Sequence, residues 1–204
     1  IRMNSLSAGN IFMRSLATRR QNLATSAILK DAIGLLRLAN FDLIVVETAG
    51  IGQSDTEITD LVDISTYVMT SEYGAASQLE KIDMLDYADV IVLNKFEKRG
   101  AEDALRDVRK QWRRNHRDQM ALPDEQLTVF PTIASRFNDP GVNRLFTHLC
   151  GLLERKTEGR STWPVSDVGP TEFVSRDPLI PAARTRYLAE IASSGRRANQ
   201  ETET

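Results

Sequence analysis

Two runs of β-forming residues, each ending abruptly in polar loop residues, set the tightest limit on how this chain folds. Phe41-Asp42-Leu43-Ile44-Val45-Val46 leads into Glu47-Thr48-Ala49-Gly50, and Val90-Ile91-Val92-Leu93 leads into Asn94-Lys95-Phe96-Glu97. Near-continuous apolar runs of this length suit strands covered on both faces, as in a parallel sheet. Between and after them apolar residues recur at helical spacing, so strands alternate with helices. The expected class is therefore α/β, a parallel sheet flanked by helices. At 204 residues the chain can bury one full domain core and still carry a tail.

The order of elements follows from the pattern. Residues 1–20 read as an irregular basic segment. A helix is expected over 22–39, with Leu23, Ile28, Ala32, Ile33 and Leu36 as its apolar positions, then a strand over 42–48 and a polar loop over 51–61. A weaker strand over 62–70 contains Ile64, Tyr67 and Val68. A helix from Gly74 to Tyr87 shows Leu79, Ile82 and Leu85 as one stripe. After a strand at 89–93, a helix over 101–117 buries Ala101, Ala104, Leu105, Val108 and Trp112, with Glu102 and Asp103 in its first turn, where acids are favoured. A short strand is expected at 127–130. Asp139-Pro140 then reads as an N-cap followed by proline at the first helical position, opening a helix to about residue 154 with Val142, Leu145, Phe146 and Leu149 inward. Composition shifts near Lys156 toward Gly, Pro, Ser and Thr. Residues 1–155 are accordingly read as one domain, and 156–204 as a linker with a short helix after Pro181 that turns Tyr187, Leu188 and Ile191 toward a following domain.

Several functions are disfavoured. The 26 basic and 28 acidic residues give no reason to expect nucleic acid as a partner. The local cluster Arg109-Lys110-Gln111-Trp112-Arg113-Arg114 lies near a helix carboxyl end, where cations offset the helix dipole. With Cys150 the only cysteine, no internal disulfide can form, and a reduced, cytoplasmic setting is expected. Cys150 sits among leucines as a core residue. His116 and His148 stand apart from any ligand pattern, which argues against zinc. No apolar run approaches the ~20 residues of a membrane span, so no membrane partner is expected.

In open α/β sheets, ligands bind at the carboxyl ends of the strands. At the first end, the Glu47 carboxylate can bind magnesium directly or through water, with Thr48 as a possible hydroxyl beside the metal. Magnesium prefers one or two carboxylates with phosphate oxygens and waters. Gly50 can offer its amide to a γ-phosphate, because no side chain blocks the approach. The same residues also read as a strand ending in an acidic turn. Gln53 can orient an attacking water, or it is a solvated loop residue. At the second end, a carboxylate at Glu97 can accept from both the N1–H and the exocyclic amine of guanine, a donor pair that adenine lacks. Asn94 would bridge loops, the stem of Lys95 would lie over the purine, and Phe96 is counted with them among the nucleotide-binding residues. An ordinary strand-end turn is the alternative to this more specific reading. Ala134 and Ser135, after Phe130-Pro131-Thr132-Ile133, stand where a backbone amide could meet the base oxygen.

The stretch Val46-Glu47-Thr48-Ala49-Gly50-Ile51-Gly52-Gln53-Ser54 resembles the second switch of the GTPases that chaperone cobalamin-dependent acyl-CoA mutases, and Ile1-Arg2-Met3-Asn4 resembles the end of their first switch. Asn94-Lys95-Phe96-Glu97-Lys98-Arg99-Gly100 is closest to the branch in which the GTPase lies between a cobalamin-binding domain and a mutase barrel acting on isobutyryl-CoA and butyryl-CoA. Most GTPases carry Asp where this chain has Glu97. The resemblance implies a P-loop NTPase-type sheet. No Gly-Lys-Ser/Thr loop occurs here and the chain opens without an initiator Met, so a segment of a longer polypeptide is expected, incomplete at its N-terminal side, with Met3 as an alternative start. It further implies GTP/GDP and Mg2+ as ligands, and adenosylcobalamin in the parent protein but not on this segment. Arg2 would contact phosphate, Glu47 would act at the metal and in hydrolysis, and Gly50 would sense the γ-phosphate. Glu72 to Lys81 would form a third mobile loop with Gln78 and Lys81 as its polar contacts. Asn94, Lys95 and Glu97 would read guanine. The implied partners are the cobalamin-binding and mutase domains of the same chain, in a homodimer.

A non-hydrolysing adaptor that keeps the fold is the alternative from another class. A nickel-delivery GTPase is disfavoured, since no Cys/His cluster is present.

Overall fold

The computed structural model describes residues 11–16, 28–48, 57–73 and 76–159. Three strands, β1 (Thr66–Thr70), β2 (Val90–Asn94) and β3 (Val129–Pro131), form a parallel sheet in the order β1-β2-β3. Helix α1 (Leu29–Leu38) precedes the sheet. The β1–β2 connection carries a 3-10 turn at Ala76–Lys81 and the single-turn α2 (Met84–Tyr87). The β2–β3 connection carries α3 (Ala101–Asn115), and α4 (Pro140–Lys156) follows β3.

Side-chain alternation along β2 divides the core. Ile91 and Leu93, with Val129 of β3 and Met69 of β1, face a larger cluster that includes Ala104, Leu105, Val108 and Trp112 of α3. Val90, Val92 and Phe130 face the other way, onto Leu145, Leu149 and Leu152 of α4. The register keeps each set on its face, pairing Ile91 with Val129 and Val92 with Phe130. Helices therefore cover both faces of β2 and β3. Trp112 is fully buried, its indole N–H donating to Gln119 Oε1 at 2.9 Å and its ring stacked on His116. Cys150 is buried, in keeping with a core role.

Four expectations are corrected. Residues 42–48 do not form a strand. They run without ladder hydrogen bonds, Ile44 and Val46 half-buried and Val45 81% exposed. An apolar run becomes a strand only with a backbone partner beside it, and among the described residues none flanks this one. The expected 74–87 helix is broken in two. Leu79, Ile82 and Leu85 are all buried, but their spacing of three is the period of a 3-10 helix, and that is what forms over the first two turns. Phe146 is 56% exposed rather than inward, because α4 meets the sheet through Leu145, Leu149 and Leu152. The 62–70 strand shortens to β1, whose Val68 is 59% exposed on the α4 side. Residues 22–27 and everything from 160 onward, which takes in the expected linker beyond residue 159 and its helix, lie outside the described residues.

The close approach of α4 to β3 depends on Gly141. A Cβ there would lie 1.9 Å from the Pro131 carbonyl oxygen, a backbone atom that cannot rotate away. Gly141→Ala is expected to destabilise the domain by about 2 kcal/mol or more, read as a lower urea midpoint; an unchanged midpoint contradicts this packing.

His148 of α4 packs its ring 5.1 Å from that of Phe130, and its Nε2 has no hydrogen-bond partner among the described residues. Burial, and then the charge of Arg155, hold its pKa below the ordinary value. The unfolded histidine thus binds a proton that the folded one resists. The contribution to stability is complete above the unfolded pKa of ~6.5 and is lost as pH falls below it. His148→Leu is expected to flatten the fall in Tm between about pH 7 and pH 5. A pH slope identical to the parent's would remove His148 as its source.

Candidate guanine-nucleotide site

Because all three strands are parallel, their carboxyl ends meet at one edge, where Thr70 pairs with Asn94 and Leu93 with Pro131. The loops leaving β2 and β3 are tied together there. Thr132, 2% exposed, donates its amide to the Leu93 carbonyl at 2.9 Å and accepts from the Phe96 amide at 3.1 Å. Asn94 is half-buried. Its Oδ1 accepts from the Ala134 amide at 3.1 Å and from the Thr132 hydroxyl at 3.3 Å. A carbonyl oxygen with two lone pairs is filled by those two donors, which fixes how the second loop lies against the first.

The β2 loop leaves its strand through Lys95 at φ 57°, in the left-handed region. For a side chain other than glycine this costs roughly 1–2 kcal/mol, and such positions cluster where a loop is held for function. Phe96 packs onto the larger core and anchors the turn. Lys95 and Glu97 are exposed on either side of it. Lys98 closes the turn, its amide donating to the Lys95 carbonyl at 3.0 Å, and its Nζ reaches Glu72 at 2.5 Å. The Lys98 hydrogen bond, then its charge, holds the Glu72 carboxyl below the usual range. The loop after β1 is thereby linked to the loop after β2.

Ala134 and Ser135 are exposed on the β3 loop. With the Ala134 amide engaged by Asn94, the Ser135 amide is the one that makes no hydrogen bond to a described residue. The structure thus gathers Asn94, Lys95, Phe96, Glu97, Ala134 and Ser135 at one edge. Glu47 is exposed and Thr48 half-buried at the end of the 43–48 segment, whose Val46 packs on the same core cluster as Phe96. Gln78 is half-buried and Lys81 exposed on the 3-10 turn. Arg2, Gly50 and Gln53 lie outside the described residues.

No cluster of three or more His, Cys, Asp or Glu side chains that could enclose a metal occurs among the described residues. A lone exposed carboxylate such as Glu47 still fits magnesium, which takes one or two carboxylates and fills its remaining positions with phosphate oxygens and water. The basic stretch of α3 is engaged by acids: Arg109 and Arg113 both bind Asp124, at 2.9 and 2.5 Å, and Arg114 binds Glu80 at 2.8 Å. No helix among the described residues is long and apolar enough to cross a membrane.

Sequence reasoning did not single out Thr132 or the Glu72–Lys98 pair. A polar residue directly after an apolar strand was the available signal for the former. The pair joins residues from two separate loops and leaves no local pattern.

Comparison with known proteins places the chain in a family. The family model of the methylmalonyl Co-A mutase-associated GTPase MeaB matches residues 1–154. The chain is 47% identical over 211 residues to a fused isobutyryl-CoA mutase of Geobacillus kaustophilus, covering 100% of this chain and 19% of that protein. It is 48% identical over 196 residues to the fused isobutyryl-CoA mutase of Cupriavidus metallidurans, covering 96% and 18%, and 49% identical over 203 residues to that of Paraburkholderia xenovorans, covering 95% and 16%. The chain thus spans less than a fifth of the length of these relatives. With its parallel sheet flanked by helices and a family match over three quarters of its residues, the chain belongs to the methylmalonyl-CoA mutase-associated GTPase MeaB family.

Proposed function

We propose that this domain binds GTP with magnesium, hydrolyses it, and through that cycle governs loading of adenosylcobalamin into an isobutyryl-CoA mutase carried on the same polypeptide. The observation that carries the reading is the junction of Asn94 with Thr132 and the Ala134 amide, which holds the β2 and β3 loops as one surface. On that surface Glu97 accepts the two N–H groups of the guanine edge, the Ser135 amide donates to the base oxygen, and the Lys95 stem covers the ring. Asn94 keeps the two loops in register. At the other end of the nucleotide, Glu47 and Thr48 hold the hydrated magnesium and Gly50 meets the γ-phosphate. Bound magnesium supplies positive charge to the phosphates. Glu47, with Gln53, orients the attacking water, and Arg2 contacts phosphate.

Loss of the γ-phosphate removes a ligand from the 47–53 loop, so that loop differs between the GTP and GDP states. Gln78 and Lys81 carry the difference to the cobalamin-binding and mutase domains. The parent chain, a cytoplasmic homodimer, interconverts isobutyryl-CoA and butyryl-CoA. The test is titration of the complete parent chain with GTP and ATP in magnesium, followed by a turnover assay. Saturable GTP binding with phosphate release supports the reading. Binding without release would favour an adaptor that reads the nucleotide and leaves it intact, and equal affinity for both nucleotides would reject the guanine site.

A further inference from the structure

Asp139 stands outside the residues assigned to the nucleotide, yet it is a carboxylate only 5% exposed. Burying a charged group is costly unless strong partners compensate. Its Oδ1 accepts from two backbone amides, Val142 at 3.0 Å and Ile133 at 3.1 Å. The first bond is an ordinary helix N-cap on α4. The second has no part in the helix. It reaches back into the β3 loop, to the residue between Thr132, which is tied to Asn94, and Ala134, which is tied to the same oxygen. The loop turns tightly there, with the Arg136 amide donating to the Ile133 carbonyl at 2.9 Å. Pro140 and the close seating of Gly141 against Pro131 fix where the carboxylate stands.

We infer that Asp139 is a positioning residue for base recognition: its second hydrogen bond pins Ile133 to the start of α4 and so sets the Ala134–Ser135 backbone at the height where an amide meets the oxygen of a 6-oxopurine. The inference rests on the guanine-reading surface proposed above. Asn94 holds that loop from the β2 side and Asp139 from the α4 side. Removing the helix-cap function and removing the loop restraint are separable changes, because serine caps a helix well but its short hydroxyl reaches one amide, whereas asparagine keeps the length and the acceptor.

The experiment compares Asp139→Asn and Asp139→Ser in the full-length protein, measuring Kd for GTP, for 6-thio-GTP, whose sulfur is a poor acceptor at the same position, and for ATP. The parent and D139N are expected to prefer GTP over 6-thio-GTP by about tenfold, the value of one well-placed hydrogen bond. D139S is expected to bring that ratio below about two while far-UV helicity stays at the parent level. A general loss of fold would weaken both guanine nucleotides together and leave the ratio unchanged. If D139S keeps the parent's ratio, the inference is overturned while guanine recognition stands. If the parent itself shows no preference for GTP over ATP, the guanine reading fails and takes the inference with it. Hydrogen exchange in the unmodified protein provides a check that needs no variant. The Ile133 amide is expected to exchange much more slowly than that of Ser135, and equal rates would overturn the clamp.

Discussion

Glu97→Ala in the full-length protein is expected to lower GTP affinity by at least about a hundredfold and leave ATP affinity nearly unchanged, so that the preference for guanine disappears. The physical basis is the pair of charge-assisted hydrogen bonds that one carboxylate can accept from the guanine N1–H and exocyclic amine. Bonds of this kind contribute roughly 1.5–3 kcal/mol each. Adenine presents no such pair of donors, so it neither gains from the carboxylate nor loses with it. Glu97 is exposed and its turn is anchored independently by Phe96 in the core and by the Lys98–Lys95 backbone bond. The substitution should therefore leave stability within about 0.5 kcal/mol of the parent, as for surface changes away from packed features. Glu97→Asp retains the carboxylate and is expected to retain the preference. Equilibrium titration with both nucleotides checks this, and a GTP preference that survives in E97A would reject Glu97 as the base-reading group.

Glu47→Ala is expected to act at the opposite end and on a different quantity. Turnover of GTP should fall by about a hundredfold, the scale seen when a preorganised charged or polar group is removed from a reacting centre, with GTP affinity weakened less than about fivefold. On the proposed reading, the base and phosphate contacts made elsewhere would continue to hold the ground state. A group that orients water or steadies the hydrated metal acts chiefly in the transition state, and its loss appears in kcat rather than in binding. Glu47 is exposed on a segment without ladder hydrogen bonds, so its removal disturbs no packing. Single-turnover phosphate release with enzyme in excess separates the two quantities. Turnover equal to the parent's would take Glu47 out of the hydrolytic step.

How far these loops could be read from residues alone depended on whether their neighbours were local. β2 was legible throughout, because Val90 to Leu93 are buried on both faces and the run announces it. The buried stripe of α3 was legible for the same reason, its five inward residues all being buried. The 42–48 run carried an equally strong signal but did not become a strand, since a strand is completed by another backbone and side-chain pattern does not reveal one. The break at 82–83 goes with a spacing of three, which in the sequence alone fits one face of an α-helix as well as a 3-10 turn. At the site, Asn94 stood out as a polar residue closing an apolar strand, and its two loop-bridging bonds match that placement. Asp139 was legible as a cap because capping has a sequence rule. Its second bond, to Ile133, was not, because that bond depends on how tightly Arg136 and its neighbours turn the loop back. The left-handed Lys95 was equally hidden, because no composition rule places a lysine there.

A single nucleotide is expected to span the two loops, with its purine at Glu97 and its metal-bound phosphates at Glu47. A crystal structure of the complete parent chain with magnesium and a non-hydrolysable GTP analogue measures this directly. The prediction is one nucleotide with the Glu97 carboxylate about 2.8 Å from both the N1 and exocyclic nitrogens, and with Glu47 on the metal or on one of its waters. A nucleotide bound with its base turned away from the 94–97 turn, or with Glu47 remote from the phosphates, would contradict it.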